Sequence, residues 1–92
     1  MSDITAPFLP EAGTVTMFTT SWCGYCKRLM PQLKQQGIEF REVNIEEIEN
    51  GAQVVEAAND GNQTVPTLLY ADGTTQTNPG IGEVKKKLES LA

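Results

Sequence analysis

TTSWCGYCKR, Thr19 to Arg28, contains both cysteines of a 92-residue chain, Cys23 and Cys26, with Trp22 before them and two cations after. Upstream, Thr14 to Phe18 (TVTMF) is β-branched and apolar at alternate positions, which predicts a strand. Downstream, Cys26, Leu29, Met30 and Leu33 recur at helical spacing and predict a helix ending near Gln36, with Gly37 as its stop. Pro31 falls inside that helix, where it removes one backbone hydrogen bond and is expected to kink the axis. The cysteine pair therefore sits where a strand hands over to a helix, with Cys23 in the first turn.

That position suits thiol chemistry. The nucleophile in disulfide exchange is the thiolate, and a free cysteine with a pKa of about 8.5 is mostly protonated at neutral pH. The first N–H groups of a helix have no intrahelical partner and carry the positive end of its dipole. They favour a negative sulfur at Cys23, with the N–H groups of Tyr25 and Cys26 as expected donors. Lys27 and Arg28 add positive charge nearby. Cys26, one turn along, is expected to be the more buried sulfur, within reach to close an internal disulfide. Two structural roles for the pair are weaker. A staple across two intervening residues stabilises little. Structural zinc takes four ligands, and the chain has two cysteines and no histidine, so no metal is expected. The lack of histidine also removes Cys-His hydrolase chemistry.

The remaining chain reads as an α/β domain. Ile38 to Val43 is a second strand. Asn44 with Glu47 reads as an N-cap and its partner, followed by Ile48, Ala52, Val55 and Ala58 at helical spacing, which NDGN at 59–62 ends. TLLYA at 67–71 and TTQT at 74–77 flank Asp72-Gly73, a hairpin signal. Asn78-Pro79-Gly80 breaks the chain before a last helix with Val84, Leu88 and Leu91 on its apolar side and Glu83 four residues from Lys87. The order is β-α-β-α-β-β-α, a four-stranded mixed sheet with three flanking helices. Residues 1–12 read as a loose N-terminal extension and 13–92 as the domain. A formal net charge of −5 argues against nucleic acid as a partner. No stretch approaches the roughly 18 apolar residues of a membrane span. The opening residues carry no apolar run of signal-peptide length, so a cytoplasmic setting is expected.

A CxxC pair in this order of elements resembles the thioredoxin superfamily, and glutaredoxin more closely. CGYC at 23–26 resembles the glutaredoxin Cys-Pro-Tyr-Cys site, with Gly24 in place of proline, and TVP at 64–66 resembles its Thr-Val-Pro segment. TTSWCGYC, NQTVPT and ADGTTQTNP are similar to the mycoredoxins, glutaredoxin-like proteins that use the sugar thiol mycothiol. The resemblance covers about residues 13 to 91. It implies the thioredoxin/glutaredoxin fold and a thiol-disulfide oxidoreductase with Cys23 as nucleophile and Cys26 as second sulfur. It also implies a cis Val65-Pro66 bond, with Thr64, Val65 and Pro66 beside the sulfurs and Trp22 and Tyr25 as ligand contacts.

One departure is informative. Glutaredoxins carry Gly-Gly and an acidic residue after the hairpin, which grip the charged ends of glutathione. TNPGIGE at 77–83 has no such run, and Thr77 and Asn78 offer neutral hydrogen-bonding groups. The resemblance therefore implies mycothiol as reducing co-substrate, with mycothiolated or disulfide-containing proteins as partners. A mycothiol disulfide reductase fed by NADPH would stand upstream, and a monomer is expected. Cys23 would take mycothiol from the protein as a mixed disulfide, releasing the protein thiol, by a monothiol route. Two other readings are a dithiol electron donor reduced by thioredoxin reductase, for example to ribonucleotide reductase, and an iron–sulfur cluster carrier bridged between two chains. Trp22 and Pro31 lean toward the first, and Gly24 toward the second.

Overall fold

The computed structural model describes residues 4–92. Strand β1, Val15–Thr19, is buried along its whole length because it pairs on both edges and is covered on both faces. It runs parallel to β2, Phe40–Asn44, and antiparallel to β3, Thr67–Leu69, which pairs antiparallel with β4, Thr75–Thr77. The sheet order is β2-β1-β3-β4, a mixed four-stranded sheet as expected.

Alternation along β1 divides the core in two. Val15 and Met17 point into a cluster with Cys26, Leu29 and Leu33 of helix α1, Gly24–Gln35, and with Val84 of helix α3, Ile81–Leu91. Phe18 points the other way, into a cluster with Phe8, Val43, and Val54 and Val55 of helix α2, Gly51–Ala58. The polar side chains of β1 are satisfied internally: the buried Thr16 hydroxyl donates to the Phe8 carbonyl and the Thr19 hydroxyl to Glu42.

Helix α1 runs through Pro31 to Gln35 as one helix. It stops as the glycine predicts. Gly37 takes φ 70°, its N–H donates to the Lys34 carbonyl, and the Ile38 N–H donates to the Leu33 carbonyl. The hairpin closes through Tyr70 and Thr74, with Gly73 at φ 87°.

Three expectations are corrected. Asn44 does not cap α2. Its side chain accepts the Glu46 N–H at 2.9 Å and its carbonyl accepts from Glu47 and Ile48, so it closes a turn, and α2 begins only at Gly51. Gly51 packs directly on β2, where a Cβ would lie 3.4 Å from Val43 Cγ1. Glu83 and Lys87 do not pair: Glu83 accepts the Gly80 N–H at the start of α3, and Lys87 reaches Asp72 at 3.5 Å, the one ion pair among the described residues. The N-terminal segment is not loose from residue 4 on. Ala6–Phe8 form a short 3-10 turn, Phe8 is buried edge-on to Phe18 at 5.5 Å, and Arg41 donates to the Pro7 carbonyl. Residues 1–3 of that segment lie outside the described residues.

Candidate active site

The site forms where β1 ends and α1 begins. Cys23 is the N-cap of α1, and its Sγ accepts the Cys26 N–H at 3.0 Å. Of the two donors expected from the sequence, this is the one that bonds. The geometry follows from the spacing: a CxxC pair across a helix start places the second backbone N–H under the first sulfur. It also brings the sulfurs together, and Cys23 and Cys26 are joined as a disulfide with Cα atoms 5.3 Å apart. The expected contrast in burial is small in this oxidised form, with Cys23 3% and Cys26 1% exposed. On the helix side, Gly24 opens to solvent, since a Cβ there would meet nothing within 4 Å.

A cleft of about 340 Å³ runs beside the disulfide, lined by Trp22, Cys23, Gly24, Tyr25, Gln63, Thr64 and Val65. Trp22, just before Cys23, and Tyr25, between the two cysteines, are 72% and 59% exposed. Tyr25 is shared with a second cleft of about 420 Å³ between α1 and the loop before α3, where Arg28, Gln32, Asn78 and Gly80 contribute. The Arg28 guanidinium lies 5.8 Å over the Tyr25 ring, so its charge is directed to this second cleft.

The structure thus brings together Cys23, Cys26, Trp22, Tyr25, Thr64 and Val65, and places Asn78 one cleft away. Val65-Pro66 is cis. Pro66 is buried and lines neither cleft; its carbonyl accepts the Asn78 N–H at 2.7 Å. Thr77 lines neither cleft, and its hydroxyl donates to Asn59 Oδ1 at 2.6 Å.

Residues that the sequence reading passed over hold the cleft walls. The Asn59 side chain donates to the Val55 carbonyl and to Thr67 Oγ1, and the Thr67 hydroxyl in turn donates to the Thr64 carbonyl at 2.8 Å. On the other wall, Glu46 accepts from the Ser21 N–H and the Trp22 indole. Gln63 joins Thr64 in the cleft lining and donates to Glu56. No local pattern marks Asn59 or Glu46, because the partners that tie them to the site, Thr67 and Thr77 for Asn59 and Ser21 and Trp22 for Glu46, lie 8 to 25 positions away in the chain. Among the described residues, no three His, Cys, Asp or Glu side chains are grouped to hold a metal ion, and no helix is long and apolar enough to cross a membrane.

The family model described as Glutaredoxin matches residues 15–74, from the start of β1 through the hairpin turn. A Mycobacterium tuberculosis protein provisionally named a glutaredoxin is 50% identical over 78 residues, 85% of this chain and 93% of that protein. Mycoredoxin 1 of Corynebacterium glutamicum is 42% identical over 78 residues, 85% of this chain and 96% of that protein. Among solved structures, the glutaredoxin of Methanosarcina mazei superposes with a TM-score of 0.72 over 84% of this chain and 79% of that one, at 23% identity.

Proposed function

This chain belongs to the glutaredoxin family, a thiol-disulfide oxidoreductase by that membership, and we propose that mycothiol is the thiol it works with. One observation carries the choice: neither the cleft beside Cys23 nor the adjoining one that shares Tyr25 is lined by an aspartate or glutamate. Glutathione bears an ammonium that needs a carboxylate partner. Mycothiol presents sugar hydroxyls there, and the amides of Gln32, Gln63 and Asn78 with the Thr64 hydroxyl suit them. Thr77 and Pro66 act behind that surface through Asn59 and Asn78.

In this reading the Cys23 thiolate attacks the mycothiol sulfur of a protein–mycothiol disulfide. The old S–S bond breaks, and the protein thiolate leaves and takes up a proton. Cys23 then holds mycothiol as a mixed disulfide. A second mycothiol thiolate attacks that mycothiol sulfur, giving mycothiol disulfide and free Cys23, the monothiol route. The disulfide product is reduced elsewhere at the expense of NADPH. The setting proposed for this cycle is the cytoplasm.

A second route has its own observation. This chain is a dithiol protein, and its Cys23–Cys26 disulfide is the product expected when Cys26 attacks Cys23 and expels the bound thiol. That form would need a separate reductant.

The test is an NADPH-coupled assay on a model protein mixed disulfide, with mycothiol and its disulfide reductase against glutathione and its own. A lost charge-assisted hydrogen bond corresponds to about tenfold to a hundredfold in binding, so turnover with glutathione is expected to fall by that factor. Equal turnover with both thiols would refute mycothiol selectivity. Turnover with thioredoxin reductase alone would favour the dithiol route.

A further inference from the structure

Trp22 precedes the nucleophile and lines its cleft, yet it is 72% exposed, so packing does little to hold its ring. What fixes it is polar. The Trp22 Nε1–H donates to Glu46 Oε2 at 3.3 Å, and the Ser21 N–H donates to Glu46 Oε1 at 3.1 Å. Glu46 is itself anchored. Its own N–H donates to Asn44 Oδ1 at 2.9 Å, and the Asn44 amide donates to Ser21 Oγ at 3.1 Å. One residue back, the Ile45 N–H donates to the Thr19 carbonyl, which continues the β1–β2 pairing. The loop before the cysteines is thus tied to the end of β2 at both the backbone and the indole.

We propose that Glu46 is a positioning residue for disulfide exchange, holding the Trp22 indole as the cleft wall against which the incoming disulfide lies. Glu46 lines neither cleft and acts through Trp22. Its carboxyl is held below the usual glutamate range chiefly by the Ser21 N–H; desolvation opposes this, and the Trp22 indole and the Ser21 side chain add lesser lowering effects. It is therefore an anionic acceptor at neutral pH, the stronger kind for an N–H donor. The inference rests on disulfide exchange at Cys23, and not on which thiol recycles it.

The experiment uses the pre-reduced full chain and a cysteinyl peptide carrying a 2-pyridyl disulfide. Cys23 attacks the peptide sulfur, the S–S bond to the pyridyl sulfur breaks, and pyridine-2-thione is released and read by absorbance. Rates against peptide concentration give a limiting rate and a half-saturating concentration. Glu46→Ala is expected to raise the half-saturating concentration about 2- to 10-fold, the scale of a solvent-competed hydrogen bond, with the limiting rate unchanged. Glu46→Gln, which keeps one acceptor oxygen, recovers part of the loss. In a Trp22→Phe background, which has no indole N–H, Glu46→Ala has a smaller effect. The chain has one tryptophan, so its acrylamide quenching reports this ring alone and is expected to rise in Glu46→Ala. An unchanged half-saturating concentration, an equal factor in the Trp22→Phe background, or a fall confined to the limiting rate would each overturn the assignment. The assay contains no mycothiol, so failure of the mycothiol reading leaves it intact.

Discussion

Trp22 and Thr64 line the same cleft, but the bonds that hold them lie in different surroundings. Thr64 is tied through its carbonyl to the hydroxyl of Thr67, a fully buried residue, and from there to Asn59, which also binds Val55 and Thr77. Trp22 is tied to Glu46 at the surface, where water competes for every bond. A hydrogen bond exchanged with water contributes little to folding, whereas an unpaired buried group costs the full desolvation. The Thr64 wall should therefore move only when the domain opens. The Trp22 wall is free to let go by itself.

Substitutions at the two anchors separate these behaviours. The largest effect is expected from Asn59→Ala, which strips partners from Thr67, Thr77 and the Val55 carbonyl at once. It should lower the stability by about 1–3 kcal/mol in urea denaturation. Thr67→Val removes the single hydroxyl between Asn59 and Thr64 and should cost about 1 kcal/mol. Glu46→Ala should leave the urea midpoint unchanged within error. A loss as large as that of Asn59→Ala would erase the distinction between the walls.

The smallest effect is one of pH. Glu46 has a depressed pKa in the folded protein, so its latch is fully present above the ordinary glutamate value of 4.5. It is lost as pH falls through the lower folded value. Trp22 fluorescence should hold steady from neutral pH to 4.5 and then shift with a midpoint below that value, and Glu46→Gln should abolish the shift. A midpoint above 4.5 would mean that the carboxylate is not held by its donors.

Much of the site could be read from local pattern. A CxxC pair between a strand and a helix fixes an N-cap sulfur and its donor through backbone geometry alone, and the structure has Cys23 and the Cys26 N–H in those places. The stop at Gly37 and the Asp72-Gly73 turn are local in the same sense. What escaped the reading depends on distant partners. Asn44 has the same side chain whether it caps a helix or closes a turn, and only the packing of Gly51 on β2 decides where α2 starts. Phe8, between Pro7 and Pro10, belongs to the core because Phe18 lies across from it. Thr77 reads as available to a ligand, but its hydroxyl donates to Asn59 Oδ1. Glu46 is one of several glutamates in a polar run, and nothing nearby in sequence singles it out.

Cys23 is proposed to carry mycothiol as a covalent intermediate. Intact-protein mass spectrometry tests it directly on reduced Cys26→Ser and Cys23→Ser, each mixed with mycothiol disulfide. One mycothiol adduct is expected on Cys26→Ser, mapped to Cys23 and removed by further mycothiol, and none on Cys23→Ser in the same time. An adduct that forms on Cys26 as readily as on Cys23, or no adduct on Cys26→Ser, would contradict it.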